Sequence, residues 1–391
     1  FWLKSLFFPV VAHLLSIASS MPEMRQRRGK SSQKESGEVP PQKTIQPSLS
    51  LCSLLCRGGA VLFIFAVGGL VAVMVHARRP ALPVSESAIE SDGSKWARLK
   101  DGRLLEYATC GDPQGHPVYG ATGYSSTAQA FTAPWMCKLA ASSGLRIIGV
   151  SMPGFGLSES MPVGFRRSLL DWPSDVDAVL QKEGVDTFAV LAVSAGCVHA
   201  TAMAYALPDR VTGMFLVAPT APDSVDNMGI APATQFLKKV LVVPYVGDFF
   251  ALLVSSMSAK MSLNAAPDIK RAVEKMAEMG GAQTGILHAW TEDKMRATKH
   301  THRGWVENMH TITEDTPFPL REVGIRLGSR GAKIWISSAE DDTTNPPAMQ
   351  EWFKEQLPSS ELLKLPAEGW GHMHMQNEDF FSQIMSKLSP L

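Results

Sequence analysis

The chain has 391 residues, too many for a single small core and enough for one large domain with appendages. Its 37 basic and 37 acidic residues cancel, so no global charge points to nucleic acid, and an apolar content of 45% is ordinary for a folded protein. Of the five cysteines, Cys110, Cys137 and Cys197 fall in the globular part without metal-ligand spacing, and an odd three argues against a disulfide framework.

Residues 1–57 read as a leader and a basic tail. Phe1–Ser20 is apolar and reads either as a signal-peptide core or as sequence upstream of a start at Met21. Met21–Ser50 clusters Arg25, Arg27, Arg28 and Lys30 among Ser, Gln and Pro, with too little apolar surface to fold. Gly58–Val75 reads GGAVLFIFAVGGLVAVMV and carries no charge, between Arg57 on one side and Arg78 and Arg79 on the other. As a helix this stretch is about 27 Å long, close to the thickness of a bilayer core. Residues 58–76 are therefore expected to cross a lipid bilayer once. Lys and Arg are more numerous before this segment than just after it, which predicts a cytoplasmic N-terminus and a globular part across the membrane. Residues 77–93 read as a polar linker.

From about Ser94, strand-like and helix-like runs alternate, the pattern of a mostly parallel sheet covered by helices on both faces, an α/β class. The strands expected are Val118–Ala121, Arg146–Val150, Phe188–Val193, Met214–Ala218, Lys333–Ser337 and Leu362–Leu365. The helices expected are Trp172–Glu183, Cys197–Ala206, Pro347–Gln356 and Asp379–Lys387. Thr220–Gly324 breaks the rhythm. It reads as a helical insertion, with Met257, Met261, Met276 and Met279, that divides the core into 94–219 and 325–391.

Three positions carry chemistry. Phe188–Gly196 reads FAVLAVSAG, an apolar strand running into a small-x-Ser-x-Gly turn before a helix. Such a turn lifts Ser194 clear of the sheet and leaves the N–H of Ala195 able to donate to an oxyanion. A serine hydroxyl needs a base. Glu368–Met375 reads EGWGHMHM after a strand, and His372 is the candidate, with His374 two residues on expected to point elsewhere. The imidazole needs an orienting carboxylate. Lys333–Ser337 is followed by AEDDTTNPP, so Asp341 and Asp342 both qualify. Asp223, after an earlier strand, is a fallback.

Leu99–Pro113 reads LKDGRLLEYATCGDP, Ser151–Ser158 reads SMPGFGLS, and Leu207–Val211 reads LPDRV. With these stretches, from about Trp96 to its end the chain resembles the α/β-hydrolase superfamily, in its lidded esterase and epoxide-hydrolase-like branch. The chain order Ser194, acid, His372 matches that family's triad. Asp342 lies four residues before Pro346, the family's spacing, which favours it over Asp341. The resemblance implies a helical lid at 220–324 and a second oxyanion donor at the N–H of Tyr124. The chain departs from the family at Thr122, where a His precedes Gly123's counterpart, at Ala192, and at Cys197.

These readings together imply a membrane-anchored serine hydrolase acting on a small-molecule acyl substrate. Ester is the first choice over amide or thioester, and no metal or organic cofactor is expected. The alternatives are a non-catalytic binding or signalling protein on the same fold, and acyl transfer or carbon–carbon hydrolysis on the same triad.

Overall fold

The computed structural model describes residues 51–225, 230, 232–255 and 267–391. The expected leader and basic tail up to residue 50, and Met257 and Met261, lie outside the described residues.

Strands β1 (Lys95–Arg98), β2 (Leu104–Gly111), β3 (His116–Ala121), β4 (Leu145–Val150), β5 (Phe188–Val193), β6 (Val211–Val217), β7 (Lys333–Ala339) and β8 (Ser360–Leu365) form one sheet. Their spatial order is β1-β2-β4-β3-β5-β6-β7-β8. β2 pairs antiparallel with β1 and β4, and every other pairing is parallel. The central strands read as continuous apolar runs because both faces are covered. In β5, Val190 and Ala192 face one buried cluster while Ala189 and Leu191 face the other. Leu216 and Phe215 of β6 divide in the same way.

Helices α1 (Leu51–Ala77) and α2 (Glu86–Ser91) precede the sheet, and α3 (Pro134–Ser142), α4 (Trp172–Lys182) and α5 (Gly196–Ala206) follow in turn. Between β6 and β7 come α6 (Pro232–Leu241), α7 (Val246–Ser255), α8 (Pro267–Met279), α9 (Ala282–Ala297), α10 (Arg303–Thr313) and α11 (Leu320–Ser329). α12 (Pro347–Gln356) and α13 (Glu378–Leu388) complete the chain. Met136 of α3 and Phe381 of α13 pack on one face of the sheet. Trp172 of α4, Val198 of α5, Leu327 of α11 and Phe353 of α12 pack on the other.

The structure corrects several expectations. Cys110 of β2 and Cys137 of α3 are disulfide-bonded. The odd count misled because Cys197, the third, is a fully buried core residue that behaves as a small apolar side chain. The segment 77–93 is not a free linker. α2 buries Ile89 completely, and the imidazoles of His302 and His300 donate to the carbonyls of Ala77 and Leu82, each at 2.8 Å. Arg78 pairs with Asp248 at 3.5 Å, and the N–H of Val84 donates to Glu159 at 3.0 Å. The boundary expected at Gly324 falls inside α11. β1, β2, α2 and α3 are not among the strands and helices expected from pattern: β1 is short, with charged Lys95 and Arg98 on it, β2 lies in the stretch 99–113 that carries only the family resemblance, and α2 and α3 are brief helices of mixed composition.

α1 is a 27-residue helix over the apolar segment, with its side chains described from Phe63 onward. Phe63, Ile64, Phe65 and Val71 on it are exposed. Among the described residues, no helix is long and apolar enough to cross a membrane.

Candidate active site

Ser194 sits on the turn between β5 and α5 with a φ of 53°. A left-handed conformation at a non-glycine residue costs on the order of 1–3 kcal/mol and persists only where its surroundings impose it. Here the Ser194 N–H donates to Val217 O at 2.8 Å, and Ser194 O accepts from the Cys197 N–H at 3.0 Å. The turn also demands Gly196: a Cβ there would lie 2.4 Å from Ala121 O and 2.5 Å from Thr122 O. The close approach of strand, loop and helix thus explains the glycine.

His372 lies in a short 3₁₀ segment, Gly371–Gln376, between β8 and α13. Its Nδ1 is 2.9 Å from Asp342 Oδ2, and its Nε2 is 3.0 Å from Ser194 Oγ. A carboxylate only accepts, so the Nδ1 proton is donated to Asp342 and Nε2 is left to accept from the serine hydroxyl. Asp342 follows β7 and is almost fully buried. Its other oxygen accepts from the N–H groups of Thr344 at 2.9 Å and Asn345 at 2.8 Å. Burial holds the Asp342 carboxyl above its ordinary pKa, against the opposing pull of His372 and the Asn345 N–H. Burial lowers the imidazole of His372, but the charge and hydrogen bond of Asp342, joined by the charge of Asp268, outweigh it and leave His372 raised. Lys294 opposes that rise.

The other candidate residues have different partners. Asp341 turns its carboxylate to the N–H groups of Gly369 at 2.9 Å and Gly371 at 3.2 Å, fixing the loop that carries His372. Asp223 accepts from Lys238 at 2.5 Å. His374 is buried, donating from Nδ1 to Gly371 O at 2.8 Å and accepting at Nε2 from Ser337 Oγ at 2.9 Å. Burial holds its pKa down at about 4, so it is neutral.

The loop after β3 passes close to the serine: a Cβ on Gly123 would lie 3.5 Å from Ser194 Cβ. The N–H of Tyr124 lies on this loop and that of Ala195 at the start of α5. Thr122, in place of a histidine, ties its hydroxyl to Val150 O at 3.4 Å. The rest of the bracing comes from the insertion. Lys294 of α9 donates to Ser125 O at 2.9 Å and Tyr124 O at 3.4 Å. Its neighbour Asp293 accepts from Ser126 Oγ at 2.5 Å, Thr127 N at 2.9 Å and Thr127 Oγ1 at 2.7 Å. Tyr124 donates to Trp305 O at 2.5 Å and packs edge-on against the Trp305 ring.

A cavity of about 230 Å³ opens beside Ser194 and His372. Leu237, Ile269, Trp290 and Trp305 of the insertion and Phe131 of the core supply much of its apolar wall. Met276 and Met279 do not line it: Met276 is buried in a cluster with Trp370, and Met279 is exposed. Met373 and Met375 line it instead. Ser125 Oγ and Trp305 Nε1, from two lining residues, are buried with no hydrogen-bond partner among the described residues. A second cavity, about 510 Å³, lies by Arg78, Phe165 and Arg303 and includes none of Ser194, His372 or Asp342. Its arginines are paired with acids, Arg78 and Arg303 both with Asp248, which marks it as a structural ion network. Among the described residues, no cluster of His, Cys, Asp and Glu is arranged to hold a metal ion.

The family model described as "alpha/beta hydrolase fold" matches residues 119–375, well over half of the chain. The chain belongs to the α/β-hydrolase family. Solved structures of the same fold include an esterase, RhEst1, from Rhodococcus sp. ECU1013. It is 18% identical with a TM-score of 0.56, the match covering 75% of this chain and 99% of that one. A hydrolase from Pseudomonas aeruginosa PA01 is 16% identical with a TM-score of 0.55, over 75% and 97% of the two chains. A bromoperoxidase from Bacillus anthracis is 12% identical with a TM-score of 0.56, over 76% and 100%. No curated protein matches the sequence significantly. The α/β-hydrolase fold is thus secure, but its members carry differently named activities, so function must be argued from the site.

Sequence reasoning did not single out Asp268, Asp293, Lys294 or Asn345. Asn345 Nδ2 donates to Ala218 O at 2.8 Å and reaches Ser194 Oγ at 3.4 Å. Asp268, Asp293 and Lys294 lie in polar helical stretches, where nothing in the local pattern sets them apart from surface charges. Pro267 and Asp268 read locally as an ordinary helix start.

Proposed function

We propose that this α/β-hydrolase cleaves an ester through an acyl-Ser194 intermediate. The carrying observation is the hydrogen-bonded chain Ser194 Oγ, His372, Asp342, opening on a largely apolar cavity. Ser194 Oγ attacks the carbonyl carbon as its proton passes to His372 Nε2. Asp342 holds the imidazole in the tautomer that leaves Nε2 free and stabilises the imidazolium. The N–H groups of Ala195 and Tyr124 hold the developing oxyanion. His372 then gives its proton to the leaving alcohol, and water, deprotonated by His372, releases the acid. RhEst1, which shares the fold, is an esterase, and ester is the acyl class that turnover of a p-nitrophenyl ester reads. A fluorophosphonate probe is expected to label the protein at Ser194. Ser194→Ala should abolish labelling and lower kcat on a p-nitrophenyl ester by several orders of magnitude. Labelling and turnover that survive the substitution would refute the assignment.

The same reading extends to location. We propose that the uncharged run 58–75, whose side chains are described only from Phe63, holds the domain at a bilayer, supported by its sequence and by the exposed Phe63, Ile64 and Phe65. The disulfide Cys110–Cys137 supports a domain on the oxidising side, with the basic tail in the cytoplasm.

A further inference from the structure

Asp268 is fully buried at the start of α8, an insertion helix, and it points at neither solvent nor the cavity. A buried carboxylate costs several kcal/mol unless its oxygens are satisfied. The groups that satisfy this one come from two loops of the core. Oδ1 accepts from Thr343 Oγ1 at 2.8 Å and Thr344 Oγ1 at 3.2 Å, on the turn immediately after Asp342. Oδ2 accepts from the Thr343 N–H at 3.2 Å and from the N–H of His372 itself at 3.1 Å. One insertion side chain therefore joins the loop that carries the acid to the loop that carries the base. Gly371 has the matching signature. Its φ is +46°, and a Cβ there would lie 2.6 Å from Asp268 Cβ, so the base loop is shaped around this aspartate.

Resting on the Ser194–His372–Asp342 reading, we propose that Asp268 is a positioning residue for the reaction. It holds the acid and base loops in register and supplies a second negative charge to His372 when the imidazole is protonated. The charged and titratable groups that bear on His372 are Asp342, Asp268, Lys294 and neutral His374. Burial raises Asp268, but the charge of His372 and the Thr343 and His372 hydrogen bonds hold it below the ordinary carboxylate range, so it is ionised where the enzyme works. Asp342 alone is not the whole counter-ion. The insertion that forms the cavity wall also contributes to the electrostatics of the base.

The test is Asp268→Asn in the full chain. Asparagine keeps an acceptor for the loops but removes the charge. Because Asp268 favours protonated His372, losing its charge lowers the imidazole pKa. The acid limb of kcat/KM on a p-nitrophenyl ester is therefore expected to move to lower pH, and kcat to fall on the order of ten- to a hundredfold as the loops lose register. A purely structural aspartate would lower the melting temperature and leave the acid limb in place, and that result overturns the proposal. If Asp268→Asn does not fold, the pair Thr343→Val and Thr344→Val removes the hydroxyl donors and keeps the charge. It is expected to lower kcat severalfold at unchanged KM, and an unchanged kcat overturns the proposal. Fluorophosphonate labelling of the unaltered chain, with the Ser194→Ala control, reports on the serine reading separately. Labelled wild type with an unmoved Asp268→Asn profile defeats this inference alone.

Discussion

His372 and His374 are two residues apart and have opposite environments. His372 gains a carboxylate and is raised; His374 and His199 are buried without a counter-charge and held down at about 4. Unfolded, an imidazole titrates near the ordinary 6.5. Between pH 6.5 and 4 the unfolded chain binds protons that folded His199 and His374 refuse. Their contribution to stability is thus complete above 6.5 and is lost as pH falls through about 4. At 1.36 kcal/mol per pH unit each is worth up to about 3 kcal/mol. The raised His372 works in the opposite sense and offsets part of the loss. The urea midpoint is expected to fall between pH 7.5 and pH 5, and the double variant His199→Gln, His374→Gln should fall less. An equal fall in both proteins would count against the assignment. His374→Ala alone should lower the melting temperature, because Ser337 Oγ and Gly371 O lose their partner, while serine labelling persists.

At the scale of elements, the sheet core and the insertion share the work of positioning. β5, β7 and β8 carry Ser194, Asp342 and His372 to one edge, while α8, α9 and α10 brace the loops between. The loop after β3 is clamped by Asp293, Lys294 and Trp305 where a histidine would otherwise hold it. The disulfide ties β2 to α3 across a sequence separation of 27. Chain-entropy arguments give such a cross-link about 3.5 kcal/mol. Reduction, or Cys110→Ser, is expected to lower the urea midpoint accordingly, with little change in the pH profile of turnover on a p-nitrophenyl ester. A midpoint indifferent to reductant would show that the link contributes no stability.

For the whole molecule, the contacts of residues 77–84 decide where the domain begins. A chain starting at His76 keeps the bonds of His302 to Ala77 O and His300 to Leu82 O and the Arg78–Asp248 pair. It is expected to be released from membranes and active. A chain starting at Ser85 loses them and should melt at lower temperature. The full chain is expected to stay in the pellet after carbonate extraction at high pH, and its domain to resist protease in sealed vesicles. Recovery of the full chain in the carbonate supernatant would overturn the tether, and digestion of the domain in intact vesicles would reverse its orientation.

By itself the sequence determined whatever local pattern carries: the buried parallel strands, the strand–turn–helix around Ser194, and the order Ser194, Asp342, His372. β5 and α12 have the bounds expected of them, because a continuous apolar strand and a helix opened by proline are written in neighbouring residues. Only the tertiary structure decided the disulfide, the packing of 77–93, and the contacts of Asp268, Asp293 and Lys294. Each of these depends on partners far away in the chain, such as Asp268 with His372, 104 residues apart. An aspartate at a helix start looks the same in sequence whether solvent or a catalytic loop surrounds it. Burial and the identity of its hydrogen-bond donors tell the two apart, and both exist only once the chain has folded.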